Sequence, residues 1–269
     1  SLNMVGTLMI GQLGETAVAS AGLANQVFFL QNLMLFGITS GSAIFIAQLW
    51  GKGDLPSIYK VMGLCLLQAL AGSSLFLAGA VLAPQAMLGF YTRDAAVIAA
   101  GSEYLRILAP AFLFTAISFS YAASLRSTGD VKTPLFISMF ALSLNTFLSF
   151  GLILGNFGLP RLGVSGAAVS AAVARGVECA SYLAVVYWRG LPVAASPRQM
   201  LSFDTAFARN IFRRALPVTF NEMLWSFGYT TYNAVYARIG TEAIAAMNIA
   251  TTVEGLVFVF FIGLSNATA

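Results

Sequence analysis

Runs of about twenty or more apolar residues, separated by short polar or Gly/Pro turns, decide what this chain can fold into. A bilayer core about 30 Å thick is crossed only by helices or closed barrels, because each must satisfy its own backbone hydrogen bonds, and runs of this length read as helix. Of the 269 residues, 58% are hydrophobic and 9% are charged, against roughly 25% charged in ordinary soluble domains. An all-α, polytopic membrane bundle is predicted.

The first predicted span is an incomplete one, residues 1–10, closed by Gly11-Gln12-Leu13-Gly14. Seven more are predicted over residues 15–50, 58–83, 95–125, 134–154, 164–188, 216–238 and 242–269. The second is longer than a bilayer requires, so it must tilt, bend or project. Pro110 is expected to kink the fourth. In the long connection from Arg189 to Arg214, Asp204 is expected to cap a short amphipathic helix over residues 205–212.

Charge sets the expected topology. Lys52, Lys60, Arg126, Lys132, Arg189, Arg198, Arg209, Arg213 and Arg214 follow the even-numbered spans; Arg93, Arg161 and Arg238 follow the odd ones. Basic loops stay in the cytoplasm, which places the first group there. Trp50, Tyr187 and Trp188 sit beside those loops as interfacial anchors should. The net charge of +4 therefore belongs to topology and implies no nucleic-acid partner; the expected partners are lipid and a small molecule. Histidine is absent, which removes HExxH zinc sites, Ser-His-Asp triads and histidine proton relays from this stretch. Cys65 and Cys179 lie apart in apolar runs, with no disulfide frame or metal knuckle around them. No metal site, no cofactor and no enzyme activity are expected.

Residues 13–43 return in faded form as residues 239–269. Gly14, Ala17, Ala19, Ala24, Val27, Leu30, Gly37 and Ala43 reappear as Gly240, Ala243, Ala245, Ala250, Val253, Leu256, Gly263 and Ala269. Repeated halves in a membrane protein point to a transporter with its site between them. An even number of spans per copy makes the repeats parallel. The expected organisation is an N-terminal lobe over residues 1–188 (spans one to six), a cytoplasmic linker over 189–214, and the first two spans of a C-terminal lobe over 215–269. The repeat predicts a complete protein of about 450 residues and twelve helices, with about a dozen residues before Ser1.

Carboxylates inside membrane spans are expensive and commonly functional. Glu178, Glu222 and Glu254 are the candidates for coupling or substrate contact. Glu178 follows Arg175 at helical spacing, so a local ion pair is the alternative; for Glu222 the alternative is an interfacial acid beside Arg213 or Arg214. Asn221 accompanies Glu222. Asn25 and Asn32 share a helix face and are read as cavity lining. Gln26 and Gln31 read rather as interhelical hydrogen-bonding groups. Asn145 is open between a cation ligand and a cavity ligand. Gly163, Gly166, Ala167, Ala168, Ser170, Ala171 and Ala172 suit close helix packing.

Several motifs then carry a resemblance. Val5 to Gly14, Gly41 to Asp54, Tyr104-Leu105-Arg106, the turn from Leu125 to Pro134, and Gly158 to Ala168 resemble, in order, those of the MATE (multidrug and toxic compound extrusion) family. The resemblance implies a V-shaped pair of six-helix lobes in the bacterial inner membrane, monomeric at full length. It also implies export of amphipathic, often cationic, drugs in exchange for Na⁺ or H⁺. The family's acid in the first helix stands here as Gly6, a second acid as Ser149, and a threonine of some members as Ala171; Asn145 remains of that cluster. Glu222 lies near the seventh-helix acid of some branches, where this chain has Trp225. Coupling is therefore expected to rest on Glu222 and Glu254. A lipid-linked-precursor flippase of the same superfamily is the alternative, weakened because only Arg106 and Arg175 fall within predicted spans; a fragment without activity of its own is another.

Overall fold

The computed structural model describes residue 10, residues 15–209 and, beyond them, residues 211–213, 217, 220, 221, 224, 228 and 231. The helices are α1 (Glu15–Gly51), α2 (Leu55–Leu82), α3 (Pro84–Gly89), α4 (Ala95–Ser127), α5 (Lys132–Leu154), α6 (Val164–Trp188) and α7 (Pro197–Met200). No strand occurs among the described residues. Five of these helices, α1, α2, α4, α5 and α6, are long and apolar enough to cross a membrane. They match the second to sixth predicted spans; the first, seventh and eighth lie outside the described residues except for single helical positions.

Local chemistry sets the ends of these helices. Asp54 accepts from the Ser57 amide at the start of α2, where a proline occupies the first turn. The Ser57 hydroxyl and amide hold the Asp54 carboxyl below the usual aspartate range. Asp94 caps α4 through the Ala96 and Val97 amides, and left-handed Gly155 ends α5. At 37 residues, α1 is roughly 55 Å long at 1.5 Å per residue. That exceeds a bilayer core of about 30 Å, so the helix must tilt, bend or project. Pro110 lies inside α4, which continues through it.

The first of two compact units spans Ser1–Thr219, the second Phe220–Ala269. Within the first, α4 is the central helix, packed by α1, α2 and α6. Two-thirds of its apolar window is buried, against about a third in α1, α5 and α6. Its composition allows this. Ala, Ser and Thr line much of its buried faces, and the hydroxyls of Ser120 and Ser124 return to the carbonyls of Ala116 and Ser120, so burial leaves those two satisfied. By contrast, α5 presents Phe136, Met139, Phe140 and Phe147 outward, a stripe suited to acyl chains.

Close approach follows from small residues. A Cβ on Gly166 would run into the Leu152 carbonyl, so glycine lets the start of α6 sit against the end of α5. Gly166→Ala is expected to cost about 2 kcal/mol by forcing that backbone contact apart, read as a lowered midpoint in a thermal melt; an unchanged midpoint would show that the helices yield freely. Gly63 likewise admits the Met200 carbonyl against α2, seating α7. The rest of the connection is held too: Tyr187 donates to the Ala195 carbonyl at 2.7 Å, and Val193 and Ala195 are fully buried. Residues 205–209 and 211–213 are helical, with Asp204 accepting from the Phe207 amide at 2.6 Å as expected of a cap. In the second unit, the described residues 220, 221, 224, 228 and 231 are helical.

Candidate functional site

A cavity of about 530 Å³ opens between α1, α4, α5 and α6. From α1 it takes Asn25, Phe28, Phe29 and Asn32; from α5, Ser138, Ala141, Leu142 and Asn145. Both sets follow the same spacing of three, four and seven residues, which is one helix face. Helix α6 adds Ala171, Ala174, Arg175, Glu178 and Tyr182, and α4 adds Leu108, Ser118, Phe119, Ala122 and Arg126. Four candidates from three helices, Asn25 and Asn32 of α1, Asn145 of α5 and Glu178 of α6, thus line one chamber.

Glu178 is the carboxylate of that chamber, and it is buried. One of its oxygens accepts from Arg175 at 2.7 Å. The other accepts from the Ser138 hydroxyl of α5 at 3.2 Å. The Tyr182 hydroxyl lies 3.5 Å from Ser138 and donates to the Pro134 carbonyl at 3.4 Å. The Arg175 guanidinium also stands over the Phe28 ring of α1, 5.7 Å from its centroid. The local ion pair and the cavity position, alternatives in the sequence, are both present. The carboxylate reaches α5 through Ser138, and its arginine reaches α1 through Phe28.

Two further polar atoms in the lining are buried without a hydrogen-bond partner among the described residues: the Asn145 side-chain carbonyl and the Ser118 hydroxyl. Buried polar groups normally find partners, so both stand out among the polar groups of the lining. Asn32 spends its amide on the Phe28 carbonyl at 2.9 Å. Ser149, at the position of the family's second acid, closes on the Ser170 hydroxyl at 2.7 Å and lies outside the lining; Ala171 lines it. No group of three or more His, Cys, Asp or Glu side chains placed to hold a metal occurs among the described residues.

Outside the cavity, Gln31 is fully buried and donates to the Ser73 hydroxyl of α2 at 2.7 Å and the Phe112 carbonyl of α4 at 2.6 Å. That is the interhelical role read for it, while Gln26 is exposed. Asn221 is exposed in the second unit, and Glu222, Glu254 and Gly6 lie outside the described residues. One sequence reading needs correction. The sequence places Arg126 in the loop, but α4 runs two residues further, through Ser127, and its last turn carries Arg126 into the lining. Arg106 is exposed and absent from the lining. Sequence reasoning also missed Ser138, Ser118 and Tyr182; Ser138 lies seven residues before Asn145 and Tyr182 four after Glu178, spacings that could have flagged them.

This fold and chamber define a multi-pass membrane protein of the helical-bundle class, with a mixed polar and aromatic cavity inside one lobe. A family model, MatE, matches residues 1–150, and the chain belongs to that family. It is 28% identical over 276 residues to the probable multidrug resistance protein NorM of Thermotoga maritima, covering 98% of this chain and 56% of that protein. To the probable multidrug resistance protein YoeA of Bacillus subtilis it is 31% identical over 269 residues, covering 94% of this chain and 56% of that protein. A crystal structure of MATE in the bent conformation is similar with a TM-score of 0.86 at 20% identity, covering 99% of this chain and 59% of that one. At that identity the likeness is one of fold. The chain spans about half the length of these relatives.

Proposed function

We propose that the protein to which this chain belongs is a secondary transporter of the bacterial inner membrane that exports amphipathic organic molecules in exchange for Na⁺ or H⁺. The observation that carries this reading is the chamber itself, a drug-sized volume with aromatic walls and a few convergent polar groups. Residues 1–188 supply that N-terminal lobe, 189–214 the cytoplasmic link, and 215–269 the start of a second lobe whose Glu222 and Glu254 are further coupling candidates. Within the first lobe Glu178 takes the coupling role: an ion or proton arriving at its carboxylate competes with Arg175 for the same oxygens, so occupancy and chamber charge change together.

The test is efflux of ethidium or norfloxacin from vesicles holding the full-length protein, with Na⁺ and H⁺ gradients imposed separately. Transport driven by one gradient is expected; transport indifferent to both sinks the antiport reading. Arg126 in the lining favours a second reading, a flippase for a lipid-linked precursor, whose phosphate would seek a cation. Translocation of a lipid phosphate without efflux of either drug would select it.

A further inference from the structure

We propose that the cavity is built to take an amphipath through its oxyanion, a carboxylate in the first instance, with Arg126 as the anchor. The preferred substrates are then acidic or zwitterionic rather than purely cationic. For its consequence in transport this rests on the exporter reading; the binding claim stands alone.

The lining holds two guanidinium groups and one carboxylate. Arg175 is committed to Glu178 at 2.7 Å. Arg126 makes no ion pair among the described residues. The groups that α1 and α5 turn to the chamber are amides, a hydroxyl and apolar side chains, and from α6 the remaining titratable side chain is Tyr182. The chamber as lined therefore carries one uncompensated positive charge. Arg126 is exposed, and a guanidinium without its own carboxylate presents a planar fork to any oxyanion that enters.

A second polar group lies on the same helix. Ser118, Ala122 and Arg126 recur every fourth residue, so they share one face of α4. Ser118 is 3% exposed and its hydroxyl has no partner among the described residues; at eight residues, about 12 Å along the helix, it is placed for a polar group at the other end of a ligand held by Arg126, not for the same oxyanion. Phe28, Phe29 and Phe119 supply walls for an apolar body. The unpartnered Asn145 carbonyl supplies an acceptor for an amine elsewhere in the chamber. A purely cationic molecule would use that acceptor but meet Arg126 as a like charge.

Arg126 also lies in the last turn of its helix, where a cation complements the helix dipole. That role is blind to substrate charge, and the test exploits the difference. Norfloxacin, a zwitterion, and its ethyl ester, a cation of nearly the same shape, are titrated against the full-length protein in lipid nanodiscs. Norfloxacin is expected to bind about tenfold tighter than the ester, the scale of one charge-assisted hydrogen bond. Arg126→Gln is expected to weaken norfloxacin about tenfold and to leave the affinity of the ester unchanged or raised. Arg126→Lys, which keeps the charge but loses the fork, falls between. Equal or tighter binding of the ester by the unaltered protein overturns the proposal without any variant, and so does an acid preference that survives Arg126→Gln. Farnesyl phosphate added as competitor separates the two sources of oxyanion: displacement at lower concentration than a matched carboxylate assigns the site to a lipid phosphate, and weaker displacement assigns it to drug-like acids. Acid-selective binding without gradient-driven efflux keeps the anion site and removes the exporter reading. Efflux of both compounds without acid preference does the reverse.

Discussion

Glu178→Gln is expected to cut gradient-driven efflux at least tenfold while leaving most of the protein folded. The substitution keeps the shape of the side chain and removes its charge. Ser138 can still donate to the amide carbonyl, but Arg175 loses the carboxylate 2.7 Å away. Removing one partner of a fully buried pair costs about 3–5 kcal/mol. The Arg175 side chain is 39% exposed toward the chamber, so water can solvate it and a stability cost of about 1–2 kcal/mol is expected. The consequence for coupling is larger, because the variant has no carboxylate left in the described lining for an ion or proton to occupy. Norfloxacin binding is expected to tighten in the same variant as Arg175 becomes free. Glu103→Gln is the control: Glu103 is exposed on α4, bonded to Ser165 and outside the lining, and its efflux should match the unaltered protein. Efflux by Glu178→Gln equal to that of the control would remove Glu178 from the coupling machinery.

The largest effect on stability is expected at Gln31. It is fully buried where α1 meets α2 and α4, bonded to Ser73 and to the Phe112 carbonyl. Gln31→Ala removes both bonds and leaves a void in a packed junction, which together cost about 3 kcal/mol. Gln31→Leu also loses the bonds, but it fills the space and removes the side-chain carbonyl that has no partner among the described residues. Its cost is expected to stay at about 1 kcal/mol or less. Thermal melts in one detergent decide this, with the alanine variant well below the leucine variant. Equal losses would mean that the hydrogen bonds, not the packing, hold the three helices together.

The five spans of the described lobe were legible because the hydrophobic effect acts locally: about twenty apolar residues in a row have one low-cost solution in lipid. Asp54, Asp94 and Asp204 could be read as helix starts for the same reason, since each bonds to an amide two or three residues away. Glu178 and Asn145 were legible as expensive groups inside spans, and Asn25 and Asn32 as a shared face. The short helix α3 and the last two residues of α4 were not. Both fall at the ends of long spans, where propensity is weak and packing decides. The misplaced Arg126 followed from those two residues, and the contribution of basic charge to the cavity was missed with it.

By itself the sequence determined that the chain is an all-helical membrane bundle, where its described spans lie, and which side chains are too costly in lipid to be idle. These follow from transfer free energies and from contacts within one or two helical turns. Only the tertiary structure decided that Asn25, Asn145 and Glu178 face the same chamber, that Ser138 and Arg175 share the Glu178 carboxylate, and that Arg126 is the cation left over. Helical periodicity says which residues share a face of one helix. It does not say which face turns toward a neighbour, because that is settled by how α1, α4, α5 and α6 pack together.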